Sequence, residues 1–103
     1  MSENYGLVVL FHLKPGAAAG FDQLISETVP EIAKHEPGTL IYTVHQVSGQ
    51  PDQRLFYELY ADRGAFDAHE EQPHTRRFLA QREQYLVSHE VQFVTPVATN
   101  QSA

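Results

Sequence analysis

The chain contains no cysteine. That excludes disulfides, thiolate nucleophiles, Fe–S clusters and cysteine-ligated zinc. Basic residues are few: seven Lys and Arg stand against thirteen Asp and Glu, for a formal net charge of −6, with no basic run. Phosphate contacts supply most nucleic-acid affinity, so no nucleic-acid partner is expected, and no anionic membrane surface either. Long hydrophobic runs are missing too. The longest, residues 6–11, falls far short of the roughly 20 residues that span a bilayer. The opening MSENYG has no basic segment leading into an apolar core, so no signal peptide is expected and the cytoplasm is the default location. Gly-rich phosphate loops, a Ser-His-Asp series and flavin motifs are absent, as are internal repeats.

What remains is an ordinary globular composition. With 103 residues, 42% apolar and 19% charged, the chain reads as one domain over residues 1–103, with residues 98–103 a polar, frayed tail. Residues 5–13 alternate as a strand with both faces largely apolar. Lys14-Pro15-Gly16 is a turn. From about Ala18 to Lys34, Phe21, Leu24, Ile25, Thr28, Val29, Ile32 and Ala33 form a helical stripe that continues past Pro30. Pro30 removes one backbone bond and predicts a kink rather than an end. His35-Glu36-Pro37-Gly38 closes this helix. Two strands follow, residues 39–47 and 54–60, joined by a turn over residues 48–53.

Asp62 stands where a helix N-cap belongs, and Ala65, Phe66 and His69 then share one helical face. Pro73 breaks that helix and opens another, over about residues 74–86. Residues 90–97 form a last strand, with Pro96 marking an edge. The order β-α-β-β-α-β predicts a ferredoxin-like α+β fold, a four-stranded antiparallel sheet with helices on one face. Helices cover only one side of such a sheet. The other apolar side, with Val8, Leu10 and Val94, predicts a homodimer through the sheet face.

Three segments together resemble the antibiotic biosynthesis monooxygenase family. They are Glu36-Pro37-Gly38-Thr39-Leu40-Ile41-Tyr42, Phe56-Tyr57-Glu58-Leu59-Tyr60-Ala61-Asp62 and Ala65-Phe66-Asp67-Ala68-His69. The resemblance implies a dimeric α+β barrel with a cavity between sheet and helices in each subunit. It also implies cofactor-free oxygenation of quinols or aromatic polyketides, with no bound cofactor. Haem-degrading proteins of this fold typically use Asn, Trp and His. This chain has no Trp, and its only Asn residues are Asn4 and Asn100, so haem degradation is disfavoured. Fold alone does not choose among activities. An isomerase or lyase on a small oxygenated metabolite, and a non-catalytic binding dimer, stay open.

His69 is the expected catalytic base, by position and by the resemblance. A neutral imidazole takes a proton from a phenol or an acidic C–H, and the anion reduces O2 directly. The bland alternative is a core histidine bonded to Tyr42, Tyr57 or Glu58. Tyr42, Tyr57, Phe66, His74 and Phe78 are the expected substrate-binding residues, because tyrosine and phenylalanine suit a flat aromatic ligand. The bland alternatives are core or interface packing for the rings and a cap for His74. The string from His69 to His74 has one residue too many for HExxH, and its proline spoils the i, i+4 geometry, so no metal is expected. Glu58, on a strand with apolar neighbours, is either a buried acid or an interface partner of Arg54, Arg63, Arg76 or Arg77, and the structural ion pair is the favoured reading, because buried carboxylates need partners. Arg82, on or beside the inner stripe of the last helix, is a candidate contact for an anionic substrate, with a solvated or snorkelling arginine the favoured reading.

Overall fold

A computed structural model describes residues 3–100. The end of the expected frayed tail, residues 101–103, lies outside the described residues. The elements run β1 (Tyr5–Leu13), α1 (Ala18–His35), β2 (Thr39–Val47), β3 (Gln50–Tyr60), α2 (Arg63–Glu71), α3 (Pro73–Gln81), a 3-10 turn (Arg82–Tyr85) and β4 (Leu86–Val94). The sheet is antiparallel in the order β2-β3-β1-β4. This is the ferredoxin-like α+β arrangement, with its second helical region split in two at Gln72. No described helix is long and apolar enough to cross a membrane.

Alternation along β1 sets the layers. Leu7, Val9, Phe11 and Leu13 are buried, and pack with Phe56 and Tyr60 of β3 against Phe21 and Leu24 of α1 and Phe78 of α3. Phe11 lies edge-on to Phe56 at 4.7 Å between ring centres, so the core is aromatic at its centre. α1 continues through Pro30 to His35, since its buried stripe Phe21, Leu24, Thr28 and Ile32 outweighs one lost backbone bond. Asp62 caps α2 as expected, accepting from the Ala65 amide at 2.8 Å.

Two boundaries differ from the sequence reading. β3 begins at Gln50, not Arg54, because Gly49 at φ 76° makes the reversal by itself and Pro51 stays within the strand. The final helix stops at Gln81, tightens into the 3-10 turn, and releases Leu86 into β4. Pro96 therefore lies beyond the last strand rather than in it.

Register decides which residues share a face. Val9 sits between Phe56 and Val91, and Leu7 between Glu58 and Phe93, so all of these face the helices. The helical layer covers β4 only in part: Phe66 of α2 meets Phe93 edge-on, yet Val91 and Phe93 are 43% and 58% exposed. On the reverse face, Val8 lies beside Tyr57 and Gln92.

Candidate active site

Under α2 and α3 a cavity of about 160 Å³ reaches from the sheet to the exposed flank of β4. Leu7, Val9, Phe11 and Phe56 form its floor. Phe66, Leu79 and Phe78 come from the helices, and Val91 stands at the β4 side. Its polar groups are Tyr42, Glu58, His69, Glu70, Thr75 and Arg82. An apolar cavity with a few convergent polar groups is the usual form of a small-molecule site.

His69 is buried on the inner face of α2, as the i, i+4 spacing predicts. Its ring lies between Tyr42 and Tyr60, at 5.6 and 5.2 Å between centres. Its Nδ1 is 2.7 Å from Glu36 Oε1. Glu36 is the C-cap of α1 and is itself buried. Thr39 donates its hydroxyl to the same oxygen at 2.7 Å, and His74 Nε2 lies 2.5 Å from Oε2. Three donors thus fill one carboxylate, and the network assigns the Nδ1–H tautomer to His69. The lone pair is left on Nε2, which has no protein partner among the described residues and is not sealed from the cavity. A close approach makes the Glu36 contact possible: a Cβ on Gly38 would meet the Ala65 Cβ at 2.7 Å. Glycine there brings the loop after α1 against α2.

Glu58 is the second buried carboxyl. It is not in the expected ion pair. Arg54 binds Asp22, Arg63 lies against Asp67, Arg76 against Glu71 and Arg77 against Glu27. Strand alternation turns Glu58 inward, where Tyr60 donates its hydroxyl to Oε1 at 2.5 Å. Burial pushes the Glu58 carboxyl up to about 7; the Tyr60 hydrogen bond and the Arg82 charge oppose this, and the charges of Glu70 and Glu36 add to it. The Tyr60 and Tyr42 hydroxyls are both pushed upward, first by burial and then by the Glu58 charge, so both keep their protons, and Tyr60 donates its own to Glu58. Arg82 also departs from its favoured solvated reading. It lines the cavity with its guanidinium over Phe11 and Phe78, and its buried Nε has no partner. The nearest carboxylate, Glu83, is 3.9 Å away.

Of the expected site residues, Tyr42, Phe66, His69 and Phe78 converge on the cavity. Two do not. Tyr57 pairs with Val8 and Thr43 and so lies on the reverse face of the sheet, since Tyr42 is in register with Glu58 instead. His74 sits behind His69 on the far oxygen of Glu36, outside the cavity lining. Glu36 is the residue the sequence reading missed as a site residue. It lies 33 positions from its partner, and no helical or strand period links them. The described residues contain no group of three or more His, Cys, Asp or Glu arranged to hold a metal ion.

The sequence profile of the antibiotic biosynthesis monooxygenase family matches residues 4–81, from β1 to the end of α3. The chain belongs to the antibiotic biosynthesis monooxygenase family. Solved structures agree with this family fold. One from Bacteriodes thetaiotaomicron, provisionally assigned to antibiotic biosynthesis monooxygenases, is 19% identical, covers 97% of this chain and 95% of its own, and superposes with a TM-score of 0.89. Another with the same provisional assignment, from Caulobacter crescentus, is 19% identical over 94% of this chain and 92% of its own, with a TM-score of 0.88. A protein of unknown function from Nitrosomonas europaea is 21% identical, covers 99% and 97%, and has a TM-score of 0.82. At these identities the likeness shows the shared fold, not a shared substrate. No curated protein matches the chain.

Proposed function

We propose that this protein is a cofactor-independent monooxygenase for a compact, single-ring quinol or phenol, with His69 as the base. The observation that carries the reading is the Glu36–His69 hydrogen bond, which leaves Nε2 as a free lone pair at an apolar cavity. Nε2 takes the proton of a phenolic hydroxyl, and Glu36 stabilises the imidazolium that forms. Deprotonation makes the ring a far better electron donor, most of all in a quinol with its second ring oxygen, and in this reading the anion reacts with O2 without flavin or metal. Membership of a family named for monooxygenases supports the same reaction class.

Volume sets the substrate size. A cavity of about 160 Å³ matches the roughly 150 Å³ apolar cavity known to take one benzene ring. Tyr42, Phe66 and Phe78 supply flat walls for it. The protein acts as a homodimer in this reading, supported by the half-buried Val8 and Leu10 on the reverse face and the exposed Val91 and Phe93 on β4.

The test is O2 uptake by metal-free protein with a panel of quinols and phenols of one to three rings, wild type against His69→Ala. The expected result is uptake with single-ring substrates that falls at least tenfold in the variant, about 1.4 kcal/mol of barrier. Turnover that persists without O2 would assign the site to an isomerase or lyase. Ligand binding without turnover, unaffected by His69→Ala, would make it a binding dimer.

A further inference from the structure

The base reading uses one side of the cavity. It leaves unexplained a second buried group able to carry a proton. Glu58 is 6% exposed and lines the same cavity as His69. Its Oε1 is occupied by the Tyr60 hydroxyl. Its Oε2 has no protein partner among the described residues and is not sealed off, so it opens on the cavity. No described cation pairs with it, although four arginines of the chain are paired elsewhere. An unpaired carboxylate in an apolar wall is costly, whereas a neutral carboxylic acid there is tolerated and carries a proton on Oε2.

We propose that Glu58 is a second catalytic group, an acid that delivers a proton from Oε2 to the oxygenated substrate while Tyr60 holds Oε1. This rests on the oxygenase reading, and it completes the reaction's proton balance. His69 Nε2 takes the phenolic proton. The phenolate passes electrons to O2, and a C–O bond forms at a ring carbon that still bears hydrogen, giving a peroxide anion. Glu58 protonates that anion and becomes a carboxylate. The carboxylate then removes the hydrogen from the same carbon. The C–H electrons form the new C=O as the O–O bond breaks, and hydroxide leaves. Hydroxide takes the proton held on His69 and departs as water. The substrate loses four electrons to O2, one quinone and one water form, and both residues return to their starting states.

The groups around Glu58 tune this role. Tyr60 on its own strand and Arg82 from the 3-10 turn favour the carboxylate. Glu70 of α2 and Glu36 at the end of α1 favour the acid. Tyr42 of β2 is in register beside it, and His69 of α2 lines the same cavity. Leu7 of β1, on its other side, carries no charge. The carboxyl pushed up to about 7 is therefore divided between acid and carboxylate near neutral pH.

The experiment pairs two readouts on wild type, Glu58→Gln and Tyr60→Phe. The first is the pH profile of O2 uptake with hydroquinone. The second is anaerobic exchange of ring C–H for deuterium in phenol, followed by NMR, which needs the acid but no O2. In the wild type, kcat is expected to fall as pH rises through about 7. Glu58→Gln should lower kcat at least tenfold, with KM changed less than threefold, and should remove that basic limb. Tyr60→Phe, which takes away a bond favouring the carboxylate, should move the limb to higher pH, a shift that a purely structural role would not produce. It also serves if the glutamine variant fails to fold. Wild-type uptake with an unmoved limb in Tyr60→Phe, or undiminished uptake in a folded Glu58→Gln, would overturn the proposal while leaving the oxygenase reading standing. No uptake, but Glu58-dependent deuterium exchange, would sink the oxygenase reading and keep Glu58 as the acid. Neither uptake nor exchange would sink both.

Discussion

Two buried glutamates sit within one small site, and they are solvated in opposite ways. Glu36 collects three donors, from Thr39, His69 and His74. Glu58 has one, from Tyr60. Both are buried to a similar degree, 8% and 6% exposed. Burial alone therefore does not decide what a carboxyl does; the number of donors aimed at it does. The crowded glutamate orients a histidine. The sparsely bonded one is pushed up to about 7 and keeps a proton to give.

The sharpest way to break this comparison is to empty the crowded side. Glu36→Ala leaves the Thr39 hydroxyl and two imidazoles without their acceptor, and is expected to cost about 3–5 kcal/mol of unfolding free energy. Urea denaturation checks it, and a loss under 1 kcal/mol would show that the network contributes little. Next comes the sparse side, where the sign is reversed. The folded pKa of Glu58 lies above its ordinary value of 4.5. Folded protein thus holds a proton that the unfolded chain has released, and wild-type stability falls as pH rises from 4.5 towards 7. Glu58→Gln carries no such penalty. It should match wild type near pH 4 and exceed it by on the order of 3 kcal/mol at pH 8, at about 1.4 kcal/mol per pKa unit. Equal stability differences at both pH values would show that the carboxyl is not held neutral by its surroundings.

Smaller effects sharpen the contrast. His69→Ala is expected to lower kcat about 10²-fold, near 2.7 kcal/mol of barrier, in stopped-flow O2 uptake. Loss of less than tenfold would return His69 to the status of a packed core residue. Thr39→Val removes one donor of three from Glu36 and moves it towards the condition of Glu58. The expected cost is about 1 kcal/mol in urea denaturation. A cost of 3 kcal/mol or more would mean that the three donors act as one cooperative unit.

Much of this molecule is legible along the chain. β1 and β2 are read from period-two alternation, α1 from a stripe that persists through Pro30, and the α2 start from Asp62. His69 is placed inward by its spacing from Ala65 and Phe66. The misreadings have local causes. Gly49 turns the chain sooner than the polar stretch around it suggests, so β3 starts early. The end of α3 passes into a 3-10 turn that keeps helical contacts, which hides the start of β4. Tyr57 was misplaced because alternation shows which residues share a strand face and does not show which face meets the helices.

The order of elements, their amphipathic faces and the inward histidine were thus determined by the sequence itself, because side-chain period is a property of the local backbone. Tertiary structure alone decided the chemistry of the site. It carried Glu36 across 33 residues to His69. It set Tyr42 of β2 in register beside Glu58, and left that carboxyl with a single donor. Hydrogen bonding and desolvation act through distances in space, and these have no period along the chain.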